Sequence, residues 1–425
     1  MSAALLPVEA ALARMLEGVV PLPPESVAID EAAGRVLAEP VSALVTLPPW
    51  DNSAMDGFAV RSTDVAAATR EAPIALRVVG EVAAGHAPTV SVGAGEAVRI
   101  LTGAMLPAGA DAVVAVEETD ATEGVADLPA LVGIRAPAGA GQNVRRAGSD
   151  FHAGDPLLAA GRRVTPQSLA LLVAGGHGGV MVHRRPRVAV LATGDELVAA
   201  GEALALGRIH DSNSPGLAAQ GRALGAEVRR LGTAKDTLEA VEGALRDAIA
   251  WADVVVCSGG VSVGAHDVVR LAFERLGRIE LWRIAVQPGK PLAFGRATAP
   301  DGRRVLLFGL PGNPVSSFVT FEIFVRPVLR ALAGDGEPTS RPVVRARLAE
   351  AVTKGPGRRA FLRVTLRPDP THPGGLTAAL AGGQGSHVLS ALAAADGLAV
   401  VAENVDGLPA GSEVDVWDLR PMEGA

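Results

Sequence analysis

From Arg187 onward the chain sets short unbroken apolar runs against stretches whose apolar residues recur every three or four positions. "RVAVLATGDEL" opens as a buried strand and closes in a polar loop. "SPGLAAQGRALGA" follows with helical spacing, then "EVRRLGTAKD" as a strand and "TLEAVEGALRDAIAWA" as a helix. "DVVVCSGGVSVGAHD" repeats the strand and loop, "VVRLAFERLG" is helical, and "RRVLLFGLPGNPVSSFVTFEIFVRPVLRAL" reads as a strand, a tight loop and one long helix. Strands alternating with helices predict a parallel, doubly wound sheet with helices on both faces. Ligands of such sheets sit beyond the carboxyl ends of the strands. That is where "TGDE", "AKD", "SGGVSVGAHD" and "LPGNP" fall.

The pattern changes on either side. Upstream, short strands punctuated by Gly and Pro run from residue 48 to about 151, between helical patterns at 7–18 and 166–174, which reads as a small β domain inserted into another. Downstream, "PVVRARLAEAV", "RRAFLRVTLRP", "GLAVVAEN" and "SEVDVWDL" predict a C-terminal β domain or barrel. The expected fold class is multidomain α/β. Residues 185–333 form the doubly wound unit, 48–151 the insert, 1–47 with 152–184 its parent domain, and 334–425 the C-terminal β domain.

The run "PPWDNSAMDGFAV" fits neither period. Its prolines hold the entry extended, and Asn52, Ser53, Asp56 and Gly57 are turn formers. It reads either as a tight connection between domains or as a rigid mount that holds Asp51 and Asp56 to meet a ligand.

Composition narrows the class. A chain of 425 residues exceeds one core, and 48% hydrophobic with 20% charged residues is the balance of a globular protein. A net charge of -7 argues against nucleic-acid binding, although "VRRAGSD" and "HRRPR" are local basic clusters that suit a small anion. The N-terminal stretch has the spacing of an amphipathic helix rather than of a signal peptide, and no uncharged apolar run is long enough to span a membrane. The sole cysteine, Cys257, excludes an intramolecular disulfide and fits a reducing, cytoplasmic compartment.

Several motifs carry candidate chemistry. "CSGGVSVGAHD" is either a close strand-to-helix turn or a phosphate cradle built from the N–H groups of Gly259, Gly260 and Gly264. A carboxylate at Asp267 would repel phosphate unless a cation intervenes, and Mg²⁺ held by Asp267 and Glu196 resolves the conflict. "GVSVG" formally fits a hydrolase elbow with Ser262 as nucleophile, but Gly259, the following acid and the want of a downstream triad suit an anion loop better. In "LPGNPVSS", Asn313 and Pro314 are positioned to start a helix while Ser316 and Ser317 face the same rim. "QPGKP" presents Lys290 as an oxyanion ligand. The eight histidines show no zinc spacing.

Together the motifs resemble the molybdopterin molybdenumtransferase family, the MoeA-type proteins and the E domain of gephyrin. "PPWDNSAMDGFAV", "ILTGAMLPAGADAVVAVEE", "NVRRAGSD", "LATGDEL", "IHDSNSP", "SGGVSVGAHD", "QPGKPLAFG", "GLPGNPVSSFVTF" and "GQGSHVLSAL" stand in the family's order. The resemblance implies an elongated, four-domain homodimer. Its first domain is dimer-forming and its third is similar to the molybdopterin adenylyltransferase fold. It also implies an enzyme that takes adenylylated molybdopterin and molybdate, cleaves the phosphoanhydride with Mg²⁺, releases AMP and leaves molybdenum on the dithiolene. Carried across by motif, the catalytic group is Asp56, Thr102, Asp150, Glu196, Asp236 and Asp267, with Glu196 and Asp267 associated with the metal. Substrate would meet Gly259, Gly260, Ser262 and Gly264. Molybdate would meet Lys290, Ser316, Arg363 and Ser386, with Pro311 and Pro314 shaping the loop. In the family's dimer the second domain of one subunit faces the third domain of the other, which makes Asp56 an acid brought across an interface. The adenylyltransferase and recipient molybdoenzymes are further implied partners. Gln287 departs from the lysine that some members carry before "PGKP".

Two other readings compete. An adenylyltransferase would need the doubly wound unit but not the insert or the C-terminal domain. A peptide-binding scaffold would need no rim of acids. Tungstate has the charge and nearly the size of molybdate, so the sequence leaves the choice of oxyanion open.

Overall fold

The computed structural model describes residues 5–122, 127–260, 268–339, 341–369 and 372–420. The chain folds as two compact units. One comprises Met1–Glu39, Ala160–Thr165 and Met181–Ala425, the other Pro40–Ala159 and Pro166–Val180.

The smaller unit is built on a five-stranded sheet of β1 (Gly57–Val60), β2 (Ile74–Val82), β3 (Glu96–Ile100), β4 (Ala112–Ala115) and β5 (Leu131–Ile134), in the order β4-β1-β3-β2-β5. Its period of two is explicit in β1. Phe58 and Val60 enter one apolar cluster with Val114 and Val132, while Ala59 enters another with Val98 and Val113. The last four residues of the aperiodic run at residues 48–60 are therefore an interior strand. Its short apolar stretch, buried on both faces, shows no alternation to read. Gly57 is required there because a Cβ would lie 2.0 Å from the Val114 carbonyl oxygen.

In the larger unit β6 (Arg187–Thr193), α1 (Asn213–Ala223), β7 (Glu227–Ala234), α2 (Leu238–Trp251), β8 (Val254–Ser258), α3 (Val268–Leu276), β9 (Gly277–Arg283), β10 (Pro291–Thr298) and β11 (Arg304–Leu310) make one sheet with its helices. The strand order is β7-β6-β8-β11-β10-β9, parallel through the first four, with β10 and β9 antiparallel. Alternate residues of each strand serve two cores. Val188, Val190, Val254 and Val256 pack with α1 and with the helices after β11. Ala189, Leu191, Val255 and Cys257 pack with α2 and α3. This is the expected doubly wound sheet, extended at one edge by an antiparallel pair.

Beyond β11 the predicted long helix is α4 (Pro314–Thr320), a π-helical segment (Phe321–Val325) and α5 (Arg326–Leu332). Pro327 lacks an N–H and its ring crowds the preceding turn. The chain widens there, and the Arg326 N–H reaches back five residues to the Phe321 carbonyl.

The C-terminal β strands close on themselves. β12 (Val343–Leu348), β13 (Arg359–Pro368), β14 (Leu376–Leu380), β15 (Gly397–Val401) and β16 (Glu413–Asp418) pair in the ring β13-β14-β12-β16-β15-β13, a five-stranded barrel. Inward residues Ala346, Leu362, Val364, Ala399, Val414 and Val416 fill it.

Candidate functional site

The carboxyl ends of the parallel strands form the rim that the sequence singled out. Two of its loops clasp each other: Asp195 N–H donates to Asp236 Oδ2 and Asp236 N–H to Asp195 Oδ1, both at 3.3 Å. The loop before α1 is held by Asp211, which accepts the Ser214 N–H at 2.9 Å and its hydroxyl. From the first turn of α1, Asn213 donates to Ser258 Oγ at 2.8 Å and to the Gly312 carbonyl at 2.6 Å, linking the loops after β8 and β11. Ser317 fastens the second loop by donating to the Pro311 carbonyl. Pro314 takes the first helical position after Asn313, whose side chain makes no capping bond.

A cavity of about 650 Å³ opens on this rim. Glu196, Gly259 and Pro314, all expected, line it together with Thr193, Asn213, Ser258 and His387, which were not singled out. These four stand inside the recognised stretches "LATGDEL", "IHDSNSP", "SGGVSVGAHD" and "GQGSHVLSAL", so position within a motif was the signal that could have found them. Among the described residues the Glu196 carboxylate has no partner. Gly259 and Gly260 take positive φ (94° and 63°), but the Gly259 N–H donates to the Leu310 carbonyl at 3.3 Å, so it ties the turn to the end of β11 and does not serve the expected phosphate cradle. Ser262, Gly264 and Asp267 lie outside the described residues.

A second cluster adjoins the start of α4. Arg363 on β13 is 1% exposed, donates to the carbonyls of Gly383 and Gly385 at 2.9 and 3.1 Å, and keeps its Nε without a partner. Among the described residues no carboxylate comes within ion-pairing distance, and burial pulls the guanidinium below its usual range. A buried cation without a counter-charge costs free energy that a bound anion returns. The Ser386 carbonyl accepts the Val315 N–H at 3.1 Å and so seats the "GQGSH" loop on α4, beside Ser316. The "QPGKP" turn approaches the same helix, since a Cβ at Gly289 would lie 2.4 Å from Thr320 Cγ2. Lys290 on this turn is exposed. The segments bearing Lys290, Ser316, Arg363 and Ser386 thus share one neighbourhood.

The smaller unit holds the remaining acids. Asp56 is exposed, and its Oδ1 accepts both the Thr102 N–H (2.6 Å) and the Thr102 hydroxyl (2.7 Å), which hold the carboxyl below its ordinary range. Asp51 differs. The Ala147 N–H (2.8 Å) and the Arg146 guanidinium (2.5 Å) occupy it, so it fastens the "VRRAGSD" turn to the proline-rich entry. Asp150 ends that turn with an exposed side chain, and its N–H donates to the Leu47 carbonyl at 3.1 Å. Each basic cluster commits an arginine to a protein carboxylate. Arg146 is bound to Asp51, and Arg184 of "HRRPR" makes a two-pronged pair with Asp253 at 3.0 Å.

Comparison with known proteins covers nearly the whole chain. Residues 6–176 match the MoeA N-terminal region (domain I and II), 189–331 a probable molybdopterin binding domain, and 345–419 the MoeA C-terminal region (domain IV). The molybdopterin molybdenumtransferase 2 of Mycobacterium tuberculosis is 41% identical over 403 residues, covering 93% of this chain and 95% of the relative. The molybdopterin molybdenumtransferase of Haemophilus influenzae is 36% identical over 425 residues, 99% and 100% of the two chains. Among solved structures, the molybdopterin biosynthesis MoeA protein of Pyrococcus horikosii superposes with a TM-score of 0.79 at 35% identity, covering 98% of this chain and 100% of its own.

Proposed function

The chain belongs to the MoeA family of molybdopterin molybdenumtransferases, and from that premise we propose that it inserts molybdate into adenylylated molybdopterin, with Mg²⁺-dependent cleavage of the phosphoanhydride and release of AMP. It acts as a homodimer. The observation that carries the reading is Arg363: a guanidinium buried without a counter-charge among the described residues, in the neighbourhood of the segments that bear Ser316, Ser386 and Lys290, suits a tetrahedral dianion. The rim cavity suits the phosphorylated partner.

Among the described residues no three His, Cys, Asp or Glu side chains converge as a cation site, and what favours a hard cation is the type of donor, carboxylate oxygen. Glu196 presents carboxylate oxygens without a protein partner among the described residues, and Asp195 and Asp236 each spend only one oxygen on their clasp. Glu196, with Asp267, would hold Mg²⁺, which when bound would neutralise charge on the anhydride oxygens. The clasp fixes the Glu196 loop, and Arg363 and Lys290 orient the oxyanion.

The test is AMP release from adenylylated molybdopterin with Mg²⁺, with and without molybdate, in the wild type and in Glu196→Gln and Asp267→Asn. Molybdate-stimulated release that both substitutions abolish is the expected result. Absence of release from folded wild-type protein would overturn the reading.

A further inference from the structure

Part of the wall of the rim cavity comes from outside the doubly wound unit. His387 and Leu389, on the loop between β14 and β15 of the C-terminal barrel, line it together with Glu196, Asn213 and Pro314. That loop is fastened along its length. The Arg363 N–H donates to the Gln384 side-chain oxygen at 2.9 Å, and the Gln384 amide donates back to the carbonyls of Arg363 and Gly382. The Arg363 guanidinium holds the carbonyls of Gly383 and Gly385, and the Ser386 carbonyl accepts the Val315 N–H. The Val388 N–H closes a turn onto the Gly385 carbonyl at 3.1 Å. Backbone held at so many points fixes where an exposed side chain stands. The His387 ring lies back over Gly385, where a Cβ would stand 2.8 Å from Cε1 and 3.2 Å from Nδ1. Glycine at 385 therefore leaves room for the ring, and the same residue gives its carbonyl to Arg363.

The side chains around the cavity show what such a ring could meet. Glu196 and Asp211 bring carboxylates to it, and a phosphate that enters needs donors to offset them. Among the described residues lining the cavity, His210 and His387 are the ones that can carry positive charge. His210 has its Nε2 2.9 Å from the Glu202 carbonyl. The imidazole of His387 is exposed, and among the described residues neither of its nitrogens has a protein partner. We propose that His387 is a substrate-binding residue whose imidazole N–H donates a hydrogen bond to a phosphate oxygen of the nucleotide ester in the rim cavity. The proposal rests on the function given above and adds to it a contact supplied by the C-terminal barrel. Phosphate is the class that fits, because an imidazole keeps at least one N–H in either tautomer and anionic oxygen is its strongest acceptor.

Calorimetric titrations with AMP and with adenosine, and steady-state AMP release from adenylylated molybdopterin, compare the wild type with His387→Ala and His387→Gln. His387→Ala should weaken AMP binding and raise KM about tenfold, with adenosine affinity changed less than about twofold and kcat less than about threefold. His387→Gln, which keeps a side-chain N–H, should recover most of the AMP affinity. Unchanged AMP affinity in His387→Ala would overturn the proposal. An equal loss for AMP and adenosine would also overturn it, since the ring would then meet the base or sugar, or only hold the shape of the wall. Either outcome, with wild-type release intact, leaves the insertase reading standing. Wild-type protein that releases no AMP yet binds AMP through His387 would sink the insertase reading alone.

Discussion

Asp51 and Asp56 stand five residues apart in one turn-rich run, yet their surroundings assign them different work. Asp51 has both oxygens engaged, by Arg146 and by the Ala147 N–H. Asp56 has one oxygen held by Thr102, leaving Oδ2 without a partner among the described residues. The Thr102 hydroxyl is the larger cause of its lowered pKa, followed by the Thr102 N–H. Hydrogen bonds to the charged form favour it, so Asp56 stays ionised further into acid than a free carboxyl. Thr102→Val removes the hydroxyl and keeps the N–H. The Asp56 midpoint should therefore move up toward the ordinary value near 3.8, as read by carboxyl-carbon NMR titration. An unmoved midpoint would discard the cause. The linked stability has the matching sign: present above the unfolded pKa, lost as pH falls through the lower folded one, and small because the group is exposed.

At the scale of elements, the starts of three strands converge on Asp253, which is 2% exposed. Its carboxylate takes the Arg184 fork and the Arg187 N–H at 2.8 Å, with Arg303 at 3.5 Å, while its carbonyl accepts the Leu306 N–H. Removing a buried partner leaves cations unmatched, so Asp253→Ala should lose about 3 kcal/mol in urea unfolding. A loss within experimental error would show that the arginines find water instead. The four parallel strands and their helices were legible because each buries one or two regular faces. The β10–β11 hairpin was not read, although "APDGR" between apolar runs carries the signal: Gly302 has φ 83° and Asp301 accepts the Arg303 N–H. β1 escaped because its residues are buried on both sides. The acids of the rim were legible by motif. Arg363 was named from its motif, but its want of a counter-charge depends on contacts between segments about twenty residues apart, which no local pattern displays.

At the scale of the molecule, sedimentation at micromolar protein should give a particle of twice the chain mass. A monomer throughout that range would overturn the homodimer. The structure also bears on how such association can occur. β12–β16 close into a ring, leaving no row of unpaired backbone groups along a barrel edge. The doubly wound sheet does have edges, but β7 carries Glu227, Arg229 and Arg230 along one, and β9 carries Arg278, Glu280 and Arg283 along the other. Charges on a boundary strand discourage a foreign strand from adding to it. In the larger unit, copies of this chain can therefore meet through side-chain surfaces while the barrel and the edges of the doubly wound sheet are guarded against the strand-to-strand stacking that leads to fibres.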